Sequence, residues 1–312
     1  MRQLSNRVVM ALASAAAPIC VGSAVAVAAT ITGTPDSDRL VGTDKADRIT
    51  ARGGSDRVLA RQGPDRIFGN AGDDNLNGGP GRDRVRGGPG DDRVDGGSGG
   101  RARRKGDRLF GNAGNDTLLG GVGFDFLAGN GGDDALRGGA GRDRAFGGPG
   151  DDTIYGGDAG QPDNRGDRLH GGAGNDLVRA GLGRDFVSGG LDDDKTYGGE
   201  GNDTLFANQG VDELFGGDGN DVLWALSRKD VTGNVDAAGD VVHGGPGDDT
   251  FRTRDGEQDF VDCGAGRDRV FADFADRFST DCEVQRVKRA QPKPSDDAKE
   301  NATEAPPEDD DE

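Results

Sequence analysis

The chain has 312 residues, 59 of them glycine; 32% are hydrophobic and 5% aromatic, and acidic side chains outnumber basic ones by 57 to 38, a formal charge of −19. So little apolar material excludes a conventional globular core and points to disorder unless something else supplies folding energy. The acidic balance argues against nucleic acid and anionic membranes as partners.

Residues 1–29 read as a secretory signal peptide. Arg2 and Arg7 lie in a basic start, an apolar run follows, and the small residues Ala26, Val27, Ala28 and Ala29 close it. Cleavage there removes two positive charges and Cys20, leaving Cys263 and Cys282. An even pair of cysteines in a secreted chain predicts one disulfide. No later stretch is long and apolar enough to span a bilayer, so the protein is expected to be secreted, without membrane insertion.

From residue 30 a nine-residue period takes over. Aspartates recur at Asp38, Asp47, Asp56, Asp65, Asp74, Asp83 and Asp92, and after six extra residues at Asp107, Asp116, Asp125, Asp134, Asp143 and Asp152. Six more extra residues lead to Asp167, Asp176, Asp185, Asp194, Asp203, Asp212 and Asp221; ten more lead to Asp240 and Asp249. Asp259 and Asp268, offset by one, bring the total to 24 units. Two places after the aspartate stands Leu, Ile, Val or Phe in 22 of them, the exceptions being Ala145 and Thr196. A period held this long predicts a solenoid. Blocks have also been copied: GDRLFGNAGND at 106–116 returns as GDRLHGGAGND at 166–176.

The turn residues carry the chemistry. Twelve units match G[GN]xGxD. These turns open on Gly69, Gly78, Gly87, Gly111, Gly120, Gly129, Gly138, Gly147, Gly171, Gly198, Gly216 and Gly244. Their fourth positions are Gly72, Gly81, Gly90, Gly114, Gly123, Gly132, Gly141, Gly150, Gly174, Gly201, Gly219 and Gly247. They end on Asp74, Asp83, Asp92, Asp116, Asp125, Asp134, Asp143, Asp152, Asp176, Asp203, Asp221 and Asp249; Asp185 follows the slightly altered AGLGRD. Glycine permits sharp bends that aim carbonyl oxygens inward, and carbonyls with carboxylates are the ligands of a hard cation, Ca²⁺ above all. The polar–aliphatic–polar triplet after each aspartate predicts a very short strand with one side chain inward. A single aliphatic per unit stabilises nothing alone; stacked units share a thin ladder.

GGPGRDRVR and GGPGDDRVD at 78–95 resemble the GGxGxDxUx nonapeptide of the RTX (repeats-in-toxin) proteins, and the likeness runs from residue 33 to about 271. The resemblance implies an all-β, right-handed parallel β-roll with two nonapeptides per coil and Ca²⁺ held between the turn of unit n and that of unit n+2. Twelve coils stacked at strand spacing give a length on the order of 55 Å, with on the order of ten Ca²⁺ bound. The implied organisation is a signal peptide at 1–29, the calcium-binding roll at 30–255, a cap at 256–288 stapled by Cys263–Cys282, and a disordered acidic tail at 289–312. Turns such as GTPDSD (33–38) and ARQGPD (60–65) lack the double glycine, and the first four are expected to form an entry cap with poor metal sites. GGLDDD (189–194) and ANQGVD (207–212) also depart from the pattern.

No HExxH or GxSxG occurs, and His170 and His243 share one repeat phase, just after the inward aliphatic; both are expected on the solvent side. Trp224 and Phe251 are expected to cap the core. Arg165-Gly166-Asp167 spells RGD, but its glycine and aspartate are fixed by the repeat phase. The residues thus predict a secreted, non-enzymatic Ca²⁺-binding protein. An alternative is a Ca²⁺-stiffened structural or adhesive surface protein whose loops at 96–106, 157–166 and 226–239 bind something. The RARRK segment at 101–105 reads first as a solvated loop, with a polyanion, anionic-glycan or cell-envelope contact as the alternative.

Overall fold

The computed structural model describes residues 8–9, 27–98, 106–157, 165–225, 239–282 and 285–287, and every regular element among them is a β-strand. The chain divides into two compact units, Met1–Gly141 and Arg142–Glu312. Each is a parallel β-solenoid in which consecutive strands alternate between two sheets and each strand pairs with the next but one.

In the first unit one sheet contains Thr30–Thr32, Arg48–Gly53, Arg66–Ala71, Arg84–Pro89, Arg108–Ala113 and Phe126–Gly131. The other contains Arg39–Val41, Arg57–Leu59, Asn75–Asn77, Arg93–Asp95, Thr117–Gly123 and Ala135–Gly141. Register is one repeat pair: Ile49 lies beside Ile67, and Ile67 beside Val85. The inward ladder Leu40, Ile49, Val58, Ile67, Leu76, Val85, Val94, Leu109, Leu118 and Leu127 is fully buried or nearly so. The segment expected to be a signal peptide lies mostly outside the described residues; Val8–Val9 within it pair in parallel with Arg39 and Leu40.

The second unit repeats the plan. Arg144–Pro149, Arg168–Ala173, Phe186–Leu191, Thr204–Gln209, Val222–Trp224, Thr250–Thr253, Arg269–Ala272 and Gln285–Val287 form one set. Thr153–Gly157, Leu177–Gly183, Lys195–Gly201, Glu213–Asp218, Val241–Pro246, Phe260–Ala265 and Arg277–Phe278 form the other. Ala145 and Thr196 hold the inward position without exposure, as the phase requires, and so does Phe251. Trp224 does not cap the core. It stands one residue past the inward Leu223, on the outer face, stacked 5.6 Å from Phe206 with the Arg252 guanidinium 4.4 Å from its ring. Period-two alternation decides this: odd steps along a strand face outward whatever their hydrophobicity.

The inserted segments leave the pairing intact. Arg84 pairs with Arg108 and Ala145 with Leu169 across 24 residues, and Leu214 with Val242 across 28. Most of each insertion, RARRK included, lies outside the described residues, as does the acidic tail at 289–312. On the outer face of the first unit the register aligns Arg48, Arg66, Arg84 and Arg108 in one column. In-register like charges repel; Phe68, 4.7 Å from the Arg48 guanidinium and 6.0 Å from that of Arg86, offsets part of this through cation–π attraction. Cys263 and Cys282 are disulfide-bonded. No helix among the described residues is long and apolar enough to cross a membrane.

Candidate metal centre

Each repeat aspartate ends a turn and starts a strand, so its carboxyl folds back under the turn it closes. Every repeat aspartate from Asp38 to Asp268 is at most 7% exposed. One carboxylate oxygen, Oδ1, accepts the main-chain N–H of the aspartate two units earlier. In the first unit this gives two ladders, Asp38–Asp56–Asp74–Asp92–Asp116–Asp134 and Asp47–Asp65–Asp83–Asp107–Asp125, at 2.6–2.8 Å. The second unit has Asp143–Asp167–Asp185–Asp203–Asp221–Asp249–Asp268 and Asp152–Asp176–Asp194–Asp212–Asp240–Asp259, at 2.6–2.9 Å. The n to n+2 relation is therefore a hydrogen-bond relation as well as a strand pairing.

The other oxygen is different. Oδ2 of Asp56, Asp65, Asp74, Asp83, Asp92, Asp107 and Asp116, and of Asp176, Asp185, Asp194, Asp203, Asp221 and Asp249, is buried without a hydrogen-bond partner. Burying a carboxylate oxygen in this way costs free energy unless a charge answers it. Burial accordingly pushes these carboxyls up, to about 7 for Asp83, Asp92, Asp176, Asp185 and Asp249 and to about 8 for Asp107 and Asp194; carboxylates in neighbouring turns add to the rise.

What surrounds that oxygen is main-chain carbonyl. A Cβ on Gly198 would stand 2.5 Å from both Asp203 Oδ2 and the Gly216 carbonyl; one on Gly216 would stand 2.5 Å from Asp221 Oδ2 and 2.6 Å from the Gly244 carbonyl. The first glycine of the turn is thus the gap on which a carboxylate oxygen and the next coil's carbonyl converge. The fourth glycine has positive φ in most of these turns, Gly81 and Gly123 excepted, and faces the preceding coil: a Cβ on Gly90 would meet the Gly72 carbonyl at 2.5 Å. Orphaned carboxylate oxygens, converging carbonyls and a cradle that a side chain would fill are the donor set of a hard cation, and the residues fit Ca²⁺. Bound there, the cation supplies the positive charge that the buried carboxylates lack.

All thirteen predicted aspartates, Asp74 to Asp249, fall in these ladders. Sequence reasoning left out Asp56, Asp65, Asp107 and Asp194, whose turns depart from the motif yet whose second oxygens are orphaned in the same way. The turns of Asp56, Asp65 and Asp194 keep the bend with Arg52, Arg61 and Asp192 at positive φ where glycine or asparagine usually stands. Of the four turns expected to form an entry cap with poor metal sites, the first two meet their own carboxylates with donors from a threonine of the same turn. There the Thr34 N–H and hydroxyl donate to Asp38 Oδ2 at 2.6 and 2.9 Å, and Thr43 does the same for Asp47 through its N–H at 2.5 Å and its hydroxyl at 2.9 Å to Oδ1. The residue before each aspartate builds an outer ladder that the motif does not announce: Asp73 Oδ1 accepts from Asp91 N–H, Asp91 from Asn115, and Asn115 from Asp133. The RGD carboxylate is a rung as well: Asp167 is 3% exposed and accepts from the Asp143 N–H. His243 is on the outer face, stacked 4.8 Å from Phe215 with Nδ1 3.1 Å from Asp262, and His170 lies edge-on to Phe146.

The RTX calcium-binding nonapeptide-repeat family model matches residues 32–67, 68–100, 104–127, 128–159, 163–195, 197–227 and 236–270. No curated protein matches the chain. Among solved structures, a hyperactive, Ca²⁺-dependent, β-helical antifreeze protein from an Antarctic bacterium aligns at 18% identity and a TM-score of 0.37, over 85% of this chain and 88% of that one.

Proposed function

The chain belongs to the RTX calcium-binding nonapeptide-repeat family, and on that premise we propose that it is a secreted, non-enzymatic protein that folds by taking up on the order of ten Ca²⁺ in its turns. The row of buried Oδ2 atoms without hydrogen-bond partners carries this reading. One inward aliphatic per nine residues contributes about 1.5–3 kcal/mol, while each buried, unanswered carboxylate costs several kcal/mol. The cation reverses the sign of that second effect, so its binding free energy becomes folding free energy. Mg²⁺ demands a smaller octahedral shell and dehydrates reluctantly, and does not replace it.

The signal peptide at 1–29, the roll from residue 30, the cap at 256–288 and the acidic tail form the domain plan of this reading. Calorimetric titration of the mature chain with Ca²⁺, followed in parallel by far-UV circular dichroism, tests it. The expected result is uptake of many ions coupled to a gain of β-structure that chelator reverses. A spectrum unchanged by excess chelator overturns it.

A further inference from the structure

The turn between Thr250–Thr253 and Phe260–Ala265 breaks the motif in a particular way. Asp249 and Asp259 are ten residues apart, and the turn reads RDGEQD at 254–259. The extra residue is absorbed in the register, since Val242 pairs with Val261 across 19 residues. Carboxylates flank Gly256, whose φ of +104° bends the chain and in front of which, its two chain neighbours aside, no atom lies within 4 Å of a Cβ position. Asp255, Glu257 and Asp259 each bring a carboxylate oxygen within 4.8 Å of the others, and all three residues are at most 3% exposed.

A cluster of acids is ordinary on a surface, but this one is inside. Asp259 has no exposure; its Oδ1 accepts the Asp240 N–H at 2.9 Å and its Oδ2 has no hydrogen-bond partner. We propose that Asp255, Glu257 and Asp259 form a metal site of a second kind, made of side-chain carboxylates rather than turn carbonyls, that takes a single hard cation, Ca²⁺ or a trivalent lanthanide. Burial first, and then the negative charges of Asp255, Asp240 and Asp276, hold the Asp259 carboxyl far above the usual range, so the local field is one that a cation relieves. More carboxylates per ion raise affinity for a given geometry. This site is therefore the first to fill; Asp259 is shared with the repeat ladder, while Asp255 and Glu257 belong to this turn alone.

The test uses the mature full-length chain and its Glu257→Gln and Asp255→Asn variants, titrated with Ca²⁺ alone and with Tb³⁺ alone by calorimetry and native mass spectrometry. Both substitutions are near-isosteric and remove a buried charge, so they preserve the fold. The expected result is loss of a single ion and weakening of the tightest phase by about tenfold or more, roughly 1.4 kcal/mol, with the later phases unchanged. Unchanged ion count and unchanged first phase in both variants overturn the proposal, because the three acids then hold protons instead. That failure is distinct from failure of the repeat turns, in which the wild-type chain binds at most this one ion.

Discussion

Replacing Asp92 by asparagine separates the two oxygens of a repeat carboxylate. Asparagine keeps an acceptor for the Asp74 N–H, which Asp92 Oδ1 takes at 2.8 Å, but removes the charge that Oδ2 leaves unanswered. Burial raises the Asp92 carboxyl from 3.8 to about 7, with help from Asp116 and Asp74. A rise of that size corresponds to roughly 4 kcal/mol of destabilisation above pH 7; solvent screening at the rim of the turn brings it to about 2–4 kcal/mol. Without calcium, then, Asp92→Asn stabilises the roll. With calcium in large excess it does the reverse, because a ligand is lost: an ion present at about 10,000 times its Kd contributes roughly 5.5 kcal/mol, more than the buried charge costs, and the variant forfeits much of it. The assay is far-UV circular dichroism at pH 8 in two series. In chelator, folding is driven with trimethylamine N-oxide, which favours burial, and the variant needs less of it than wild type. In the second series Ca²⁺ drives folding, and the variant needs more. A variant that is worse in both series shows that the carboxylate serves packing alone; one that is better in both shows that no cation uses it. Either result refutes the reasoning.

The same carboxyls set a pH dependence. Their folded values of about 6 to 8 lie above the unfolded value, so the stability of the calcium-free roll is greatest at acid pH and is lost as pH rises through roughly 4 to 8; the osmolyte midpoint in chelator should climb over that window, while calcium affinity climbs with it. Thr43→Val removes the hydroxyl that donates to Asp47 and should lower stability by about 1 kcal/mol in melts with or without calcium, leaving the number of bound ions unchanged. Removing the Cys263–Cys282 bond by a double serine substitution opens a loop of 19 residues; it should cost roughly 3 kcal/mol and raise the calcium midpoint, and thiol labelling of the denatured wild type should find reactive cysteines only after reduction.

The nine-residue phase made the solenoid legible, because a rigid period dictates which side chain points inward and which unit stacks on which. It told less about the turns. The bend belongs to the backbone, and Arg52, Arg61 and Asp192 take positive φ at motif positions that usually hold glycine or asparagine, so the motif understated how many carboxylates share one environment. Thr34 and Thr43 look like ordinary turn residues until their hydroxyls are seen to occupy the carboxylates of Asp38 and Asp47. Asp255 and Glu257 were passed over because a ten-residue step reads as a slip in the count. Only the fold shows that the slip brings three acids together. Trp224 was misplaced for the opposite reason, its size being weighed above its phase.

The pairing across the insertions has a consequence for how such a chain changes over generations. Asp83 meets Asp107 across 24 residues at 2.7 Å, no differently from Asp65 and Asp83 across 18 at 2.8 Å, and Asp212 meets Asp240 across 28 at 2.8 Å. Length added between a turn's first residue and its aspartate is thus invisible to the rungs on either side. Those junctions are open to grafting: a foreign epitope or a randomised peptide library spliced between Ser98 and Gly106 would inherit a finished scaffold, and novelty at that point is screened for what it recognises rather than for whether the rest survives.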